Sequence, residues 1–569
     1  MFSLTTILLS VALALYAGYK WALPKPLPGI PYNVEGTKNT YPPISQTVHP
    51  LGGPLITVRD WRTARDVFLH RSREFDRSGM MIIFTDGLLD HHHFVLKAGA
   101  EWKLRRRLIH DTMSPSFLKN QVSHTIYSNG LKWIELWHMK ARLAAGRPFM
   151  AYYDIHYAIL DTVLGFSFGP DFSCSATESQ INRLHSVTQL SQDSTSSAPV
   201  DFPEYPIHDE IRSMLGLLET LGEVESSLFI PLKWWLLKRS SIFRNRKRLK
   251  NESIICEIKK AVEARTRNTG ASKIEHRPSW MRCAVELIVN QEARNAERED
   301  RGPDFFSDVV VEEIWGSIVA GVETLSTTFS WGVKLLADHP NAQDRLRKTL
   351  RVAHARAIHE RRLPTVEEIL QTPTDYVDAS IEEILRCSAP VPILARQAVV
   401  DTVLLGHHIP KGTNVQFLQN GPGIKQRELE ENKNKYNQDS ADKVIPGWDD
   451  EDVDQFKPER WLRSSSDGRP KQSANGAEDV ERDGLTFNAQ AGPSIPFGLG
   501  NRGCFGRRLA YMDLKILLTM VILSFELQRC PDELSGYNEK VSFVNRPTSC
   551  YVKLRSIALQ SPLQEYHDT

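Results

Sequence analysis

The sequence predicts a mainly α-helical fold with a small β region, and three observations carry that expectation. Helical periodicity dominates from about Asp60 onward. Its clearest stretch, residues 309–337, is apolar on most faces, the pattern of a helix buried through the middle of a fold. Strand-like alternation is confined to short pieces, 398–405 and 541–554.

The chain has 569 residues, 41% hydrophobic and 24% charged, so a large buried core is within reach. Length alone would allow three or four domains. The motifs described below run from Trp102 to Cys504 as one set, so residues 32–569 read as a single domain. Lys and Arg number 70 against 69 Asp and Glu, a balance that gives no global field for nucleic acid. The seven cysteines are odd in number and widely spaced, with no C-x-x-C pair. That excludes a disulfide framework or a zinc site and fits a reducing compartment.

The amino end is read as a transmembrane anchor over residues 2–23. Residues 2–19 carry no charge, and Lys20 can reach the headgroups while Trp21 and Leu23 extend the apolar stretch. A cleaved signal peptide would need a basic amino end, which is lacking. Lys20 and Lys25 follow the span and nothing basic precedes it, which places the bulk of the protein in the cytosol. Residues 24–31 hold Pro24, Pro26, Pro28 and Pro31 and read as a stiff extended linker.

Two polar, turn-rich stretches, 419–455 and 464–492, read as solvated surface insertions. Residues 228–250 combine Trp234, Trp235 and several leucines with eight Lys or Arg and no acid. They predict either a surface lying on anionic lipid or a core helix with a solvated basic end. The run His91-His92-His93 reads as a surface loop, because three consecutive side chains cannot face one metal in regular structure.

The most informative segment is 496–510, a glycine-dense loop leading into an apolar helix. Cys504 lies near that helix's amino terminus, where the macrodipole and free N–H groups favour a thiolate. Gly500, Gly503 and Gly506 let backbone approach a flat ligand, and Arg502 can pair with a carboxylate. Phe497, Gly500, Arg502, Cys504 and Gly506 complete the pattern F-x-x-G-x-R-x-C-x-G. With it the chain resembles the cytochrome P-450 family, and more particularly its fungal, membrane-anchored, secondary-metabolite members.

Other segments agree in order. Glu383 and Arg386 form E-x-x-R, on one helix face. Pro458-Glu459-Arg460 resembles the family's P-E-R motif, whose Arg joins that pair. Trp102 and Arg106 match W-x-x-x-R, and the resemblance makes them, with Arg396, partners of haem propionates. In the predicted long helix, Ala320-Gly321-Val322-Glu323-Thr324 resembles the family's oxygen-binding groove, with Thr324 and Glu323 relaying protons. Leu325 departs from the usual pattern, which has Thr or Ser there.

The resemblance implies haem b with Cys504 as the axial iron ligand, and a monooxygenase that inserts one oxygen atom from O2 into a hydrophobic small molecule. It implies electrons from NADPH through a separate cytochrome P-450 reductase, since no flavin or dinucleotide motif is present. Lys103, Arg105, Arg507 and Arg508 then offer a docking face for an acidic partner. Residues 80–89, 318–324, 391–394 and 543–545 would face substrate. The expected site is the endoplasmic reticulum membrane, catalytic domain in the cytosol. A reductase-independent isomerase or dehydratase and a non-catalytic haem-binding protein are the alternatives.

Overall fold

The computed structural model describes residues 4–32, 42–48, 52–187, 198–203, 205–227, 229–268, 281–425, 448, 451–464 and 485–558. Phe2, Leu228 and most of both predicted polar insertions lie outside the described residues. Packing of the chain forms two compact units, the first drawn from 1–83, 392–455 and 493–504, the second from 84–391, 456–492 and 505–569.

In the first unit, helix α1 (Leu4–Ala22) forms where the anchor is expected. Its 19 residues would reach about 28 Å, and Thr5, Thr6, Ser10 and Lys20 dilute its apolar character. Among the described residues no helix is long and apolar enough to cross a membrane. The proline-rich linker is held by one buried side chain. Gln46 accepts from the Leu27 amide at 2.8 Å and donates to the carbonyls of Leu27 and Ile30 at 2.8 and 2.7 Å. Pro cannot donate, so a side-chain amide supplies the bonds that a neighbouring strand would otherwise make.

Strands β1 (Ile44–Thr47), β2 (Leu55–Val58), β3 (Phe75–Arg77), β4 (Ile393–Ala398) and β5 (Asn414–Leu418) form one sheet in the order β1-β2-β5-β4-β3. Only the β2–β5 pair is parallel. Helix α2 (Trp61–His70), capped by Asp60, lays Ala64, Val67 and Phe68 on this sheet, with Phe68 edge-on to Phe417 at 5.0 Å. The β3–β4 register sets Arg77 opposite Arg396.

The second unit is helical. Its main helices are α3 (Ala100–Ile109), α4 (Ser123–Ala144), α5 (Tyr152–Phe168), α6 (Asp209–Glu225), α7 (Ile230–Arg239), α8 (Ser241–Asn268), α9 (Asp308–Asp338), α10 (Asp375–Ser388) and α11 (Arg507–Ser524). Helix α9 is the predicted buried helix, one residue longer at each end, started by a Ser307 cap and lined against α5. Short strands complete the unit: β6 (Phe525–Gln528), β7 (Asn545–Pro547) and β8 (Tyr551–Ser556), with β6 and β8 antiparallel. The protein is thus mainly helical with small sheets, as the sequence predicts.

The E-x-x-R pair builds a knot in this unit. Glu383 and Arg386 on α10 have fully buried side chains and meet at 2.7 and 2.8 Å. Glu383 also accepts from Arg460 Nε at 3.0 Å, Trp461 Nε1 at 2.9 Å and the Lys457 amide at 2.7 Å. Burial pushes its pKa up, but Arg386 and Arg460 outweigh that and hold the carboxyl below its ordinary value. The P-E-R arginine lies where the resemblance predicts.

Candidate functional site

In the first unit the loop carrying Cys504 is folded back on itself. Gly498 donates to the Ile495 carbonyl at 2.9 Å, Gly503 to Gly500 at 3.0 Å, and the Cys504 amide to Phe497 at 2.8 Å. Gly500 has φ +67°, and a Cβ there would sit 2.1 Å from the Phe68 carbonyl oxygen, so only glycine fits. Cys504 is exposed, whereas Cys283, Cys387, Cys530 and Cys550 are buried, and none of the seven is in a disulfide. Burial pushes Cys283 and Cys550 up, which leaves them poor ligands.

Beside this loop three guanidinium groups crowd one carboxylate. Arg502 Nη2 meets Asp76 at 2.8 Å, while Arg77 and Arg396 face each other across β3 and β4. Burial, then repulsion from Arg396 and Arg502, brings the Arg77 pKa down to about 9. Burial and Arg502 bring Arg396 down to about 10. Cations perturbed in this direction are held together at a cost that an added anion would lower. The propionates of a haem are anions of that kind. Arg396 and Arg502 are predicted site residues. Arg77 and Asp76 are not, and no local pattern marks them, because they join the cluster through strand register.

In the second unit, Arg106 lies over the Trp102 ring at 5.6 Å and the Phe505 ring at 4.3 Å. These residues, with Lys103, Arg107 and His110, line a cleft of about 350 Å³. Arg105, predicted for a docking face, bonds Glu101 at 2.9 Å and the His91 carbonyl at 2.8 Å at the surface. Arg507 lies over the Tyr511 ring, and Arg508 reaches the Met113 carbonyl at 3.5 Å. Gly506 is the cap of α11, and a Cβ there would meet nothing within 4 Å, room of the sort a flat ligand needs.

Helix α9 opens in its middle. Ala320 is exposed, and Gly321, Glu323 and Thr324 are half-buried, between long buried runs on either side. Thr324 Oγ1 donates to the Ala320 carbonyl at 2.8 Å, the i−4 bond expected of it. A Cβ at Gly321 would lie 3.1 Å from Val163, so this glycine also permits close packing on α5. Glu323 Oε1 lies 3.9 Å from His156 Nε2. Phe84 and Phe543, both among the predicted substrate-facing stretches, stack with centroids 5.8 Å apart.

The histidine run corrects one expectation. His92 is buried and His93 half-buried, and both reach Glu313 of α9, at 3.4 and 2.7 Å. The His93 amide also donates to Glu313 at 2.7 Å, and the His91 amide to Glu312 at 2.6 Å. Burial raises the Glu313 pKa, against the His92 ring and the His93 amide. The segment is an irregular loop, as expected, but two of its three histidines turn away from solvent and face one carboxylate. Gly316 makes room, since a Cβ there would meet the His92 ring at 2.3 Å.

In the first unit the crowded arginines and the exposed Cys504 fit a haem. A sequence model described as Cytochrome P-450 matches residues 28–421 and 450–554. The cytochrome P-450 monooxygenase TRI13 of Fusarium sporotrichioides is 34% identical, covering 96% of this chain and 98% of that one. The cytochrome P-450 monooxygenase xilC of Penicillium rubens is 33% identical over 97% and 96%. A third relative, the Hps1-dma1 cluster cytochrome P-450 monooxygenase cyp3.1 of Dothistroma septosporum, is 35% identical over 54% of this chain and 96% of its own length.

Proposed function

Because the chain belongs to the cytochrome P-450 family, whose monooxygenases are oxidoreductases, we propose that it oxygenates a hydrophobic small molecule of secondary metabolism with NADPH electrons from a separate reductase. The observation that carries this is the folded loop presenting Cys504 beside the Arg77, Arg396 and Arg502 cluster. Cys504 would hold the haem iron as thiolate. Arg396, Arg502, Trp102 and Arg106 would bind propionates, with Arg77 added. When bound, a thiolate-ligated haem supplies activation of O2. The chain's own share is to hold substrate and to move protons. The Thr324 hydroxyl, poised at the Ala320 exposure, hands protons on from Glu323. The stacked Phe84 and Phe543 favour an apolar substrate.

Membrane attachment at the endoplasmic reticulum, catalytic part in the cytosol, belongs to the same reading. Helix α1 would be the anchor, and Leu9, Leu13 and Trp21 on it are exposed. Helix α7 and the start of α8 would lie on the lipid. Phe229, Leu232, Trp235, Leu236 and Ile242 are exposed there, among Lys238, Arg239 and Arg244, while Trp234 is buried. An apolar patch rimmed by cations suits an anionic bilayer.

The ferrous–CO complex should give the red-shifted Soret band of a thiolate-bound haem, and Cys504→Ala should lose both the band and turnover. A variant that keeps the band refutes the ligand. Metabolite profiling of a deletion strain would name the substrate, and product formed without NADPH would replace oxygenation by isomerisation. Removing residues 1–23 should leave haem binding intact and membrane binding that high salt washes off.

A further inference from the structure

Beside the proposed proton relay lies a group of titratable side chains to which that reading gives no work. His156 on α5 is buried, with its Nε2 3.9 Å from Glu323 Oε1. That distance is too long for a locked hydrogen bond. Its other nitrogen, Nδ1, is buried and makes no hydrogen bond. A histidine kept only for structure normally satisfies both nitrogens. The ring stacks on Tyr152 at 5.7 Å, and Tyr152 in turn accepts from Arg546 of β7 at 3.0 Å. Glu219 of α6 is exposed, and its charge acts on His156 from the solvent side. Burial lowers the His156 pKa and Arg546 lowers it further, while Glu323 and Glu219 raise it.

We propose that His156 refills Glu323 with protons from solvent on the Glu219 side, and so feeds the Thr324 relay. This rests on the function proposed above. The imidazolium gives its Nε2 proton to the Glu323 carboxylate. The resulting carboxylic acid passes a proton on to Thr324, and the neutral ring, which still carries its Nδ1 proton, regains one at the vacated Nε2 from water entering on the Glu219 side. One proton moves inward per cycle, and nothing is oxidised or reduced. Arg546 and Tyr152 hold the ring in place and serve as positioning residues.

The test uses holoenzyme carrying ¹³C at histidine Cε1, titrated in its ferrous–CO form. The His156 resonance is the one missing from His156→Gln. It should titrate on the acid side of an ordinary imidazole. Glu323→Gln should lower its midpoint by about one pH unit, and Glu219→Gln by less. A resonance that does not titrate there, or that ignores Glu323→Gln, overturns the proposal. If His156→Gln does not load haem, the shifts caused by Glu219→Gln and Glu323→Gln on the parent's resonances decide the matter alone. The second readout is hydrogen peroxide formed per NADPH consumed with a purified fungal reductase and no added substrate. His156→Gln should raise that ratio several-fold and flatten its pH profile. If Thr324→Ala raises the ratio and His156→Gln does not, His156 is excluded and the Thr324 reading stands. If neither raises it, the relay itself falls.

Discussion

Two buried clusters of arginine and carboxylate stand out among the described residues, and they are perturbed in opposite directions. At the knot in the second unit, one carboxylate, Glu383, takes donors from Arg386, Arg460, Trp461 and Lys457. Its pKa is lowered, so the folded state favours the charges present. At the sheet in the first unit, three guanidiniums share Asp76, and Arg77 and Arg396 are pushed down to about 9 and about 10. There the folded state disfavours its own charges. The same residue types therefore do two jobs. A cluster that favours its charges is part of folding, and one that opposes them is a place prepared for an anion.

The sharpest way to break this comparison is to cut the knot. Arg386→Ala takes from buried Glu383 its closest cation and two of its hydrogen bonds, leaving Arg460 to balance the charge, at a cost approaching that of a broken buried pair, about 3–5 kcal/mol. That is a large share of ordinary domain stability. Little soluble, haem-loaded protein should be recovered, as read by the haem absorbance per milligram. Normal haem content with altered turnover would make the knot part of the chemistry.

Arg396→Gln is the matched experiment in the other cluster, and its effect should be smaller and different in kind. Removing one of three repelling cations relieves the folded apoprotein, so its Tm should hold or rise. Haem retention should suffer, because one charge-assisted bond contributes about 1.5–3 kcal/mol. Haem transfer to an acceptor protein should then be roughly ten- to hundredfold faster. Loss of apoprotein stability, with haem transfer unchanged, would make this cluster a second knot.

Local motifs were legible in the sequence, and long-range pairing was not. Cys504, Gly500 and Arg502 fall within one short segment, so their spacing reports their geometry directly. Helix α9 was legible because a long apolar run leaves few other conformations. Arg77 and Asp76 were invisible, since they matter only through a register that sets 75–77 beside 396–398. The order of the sheet, with 55–58 parallel to 414–418, lies beyond any local pattern for the same reason. His92 and His93 looked like surface because Glu313, which binds them, lies more than two hundred positions away. The partner of Glu323, His156, sits on a helix buried nearly all round and carries no spacing signal.

The smallest effect is a pH dependence, and its sign follows from linkage. Arg77 has an ordinary pKa of 12.5 that falls to about 9 in the folded chain. Between those values the unfolded chain binds the proton and the folded one has released it. Stability therefore rises with pH through that window, by at most about 1.4 kcal/mol per pH unit for one group. Below about 9 both states are protonated, so the full penalty is present at neutral pH and the slope vanishes. Glu383 behaves oppositely in kind, since its stabilisation is lost only as pH falls through its lowered pKa. The measurement is urea unfolding of the apoprotein at several pH values above about 8, for the parent and for Arg77→Gln. The parent should gain stability relative to the variant as pH rises. Bound haem should erase the difference, because its propionates restore the charged form of Arg77. A parent and variant that run parallel across the alkaline range would remove the distinction between the two clusters. A difference that survives haem loading would keep the repulsion but deny that the anion it awaits is a propionate.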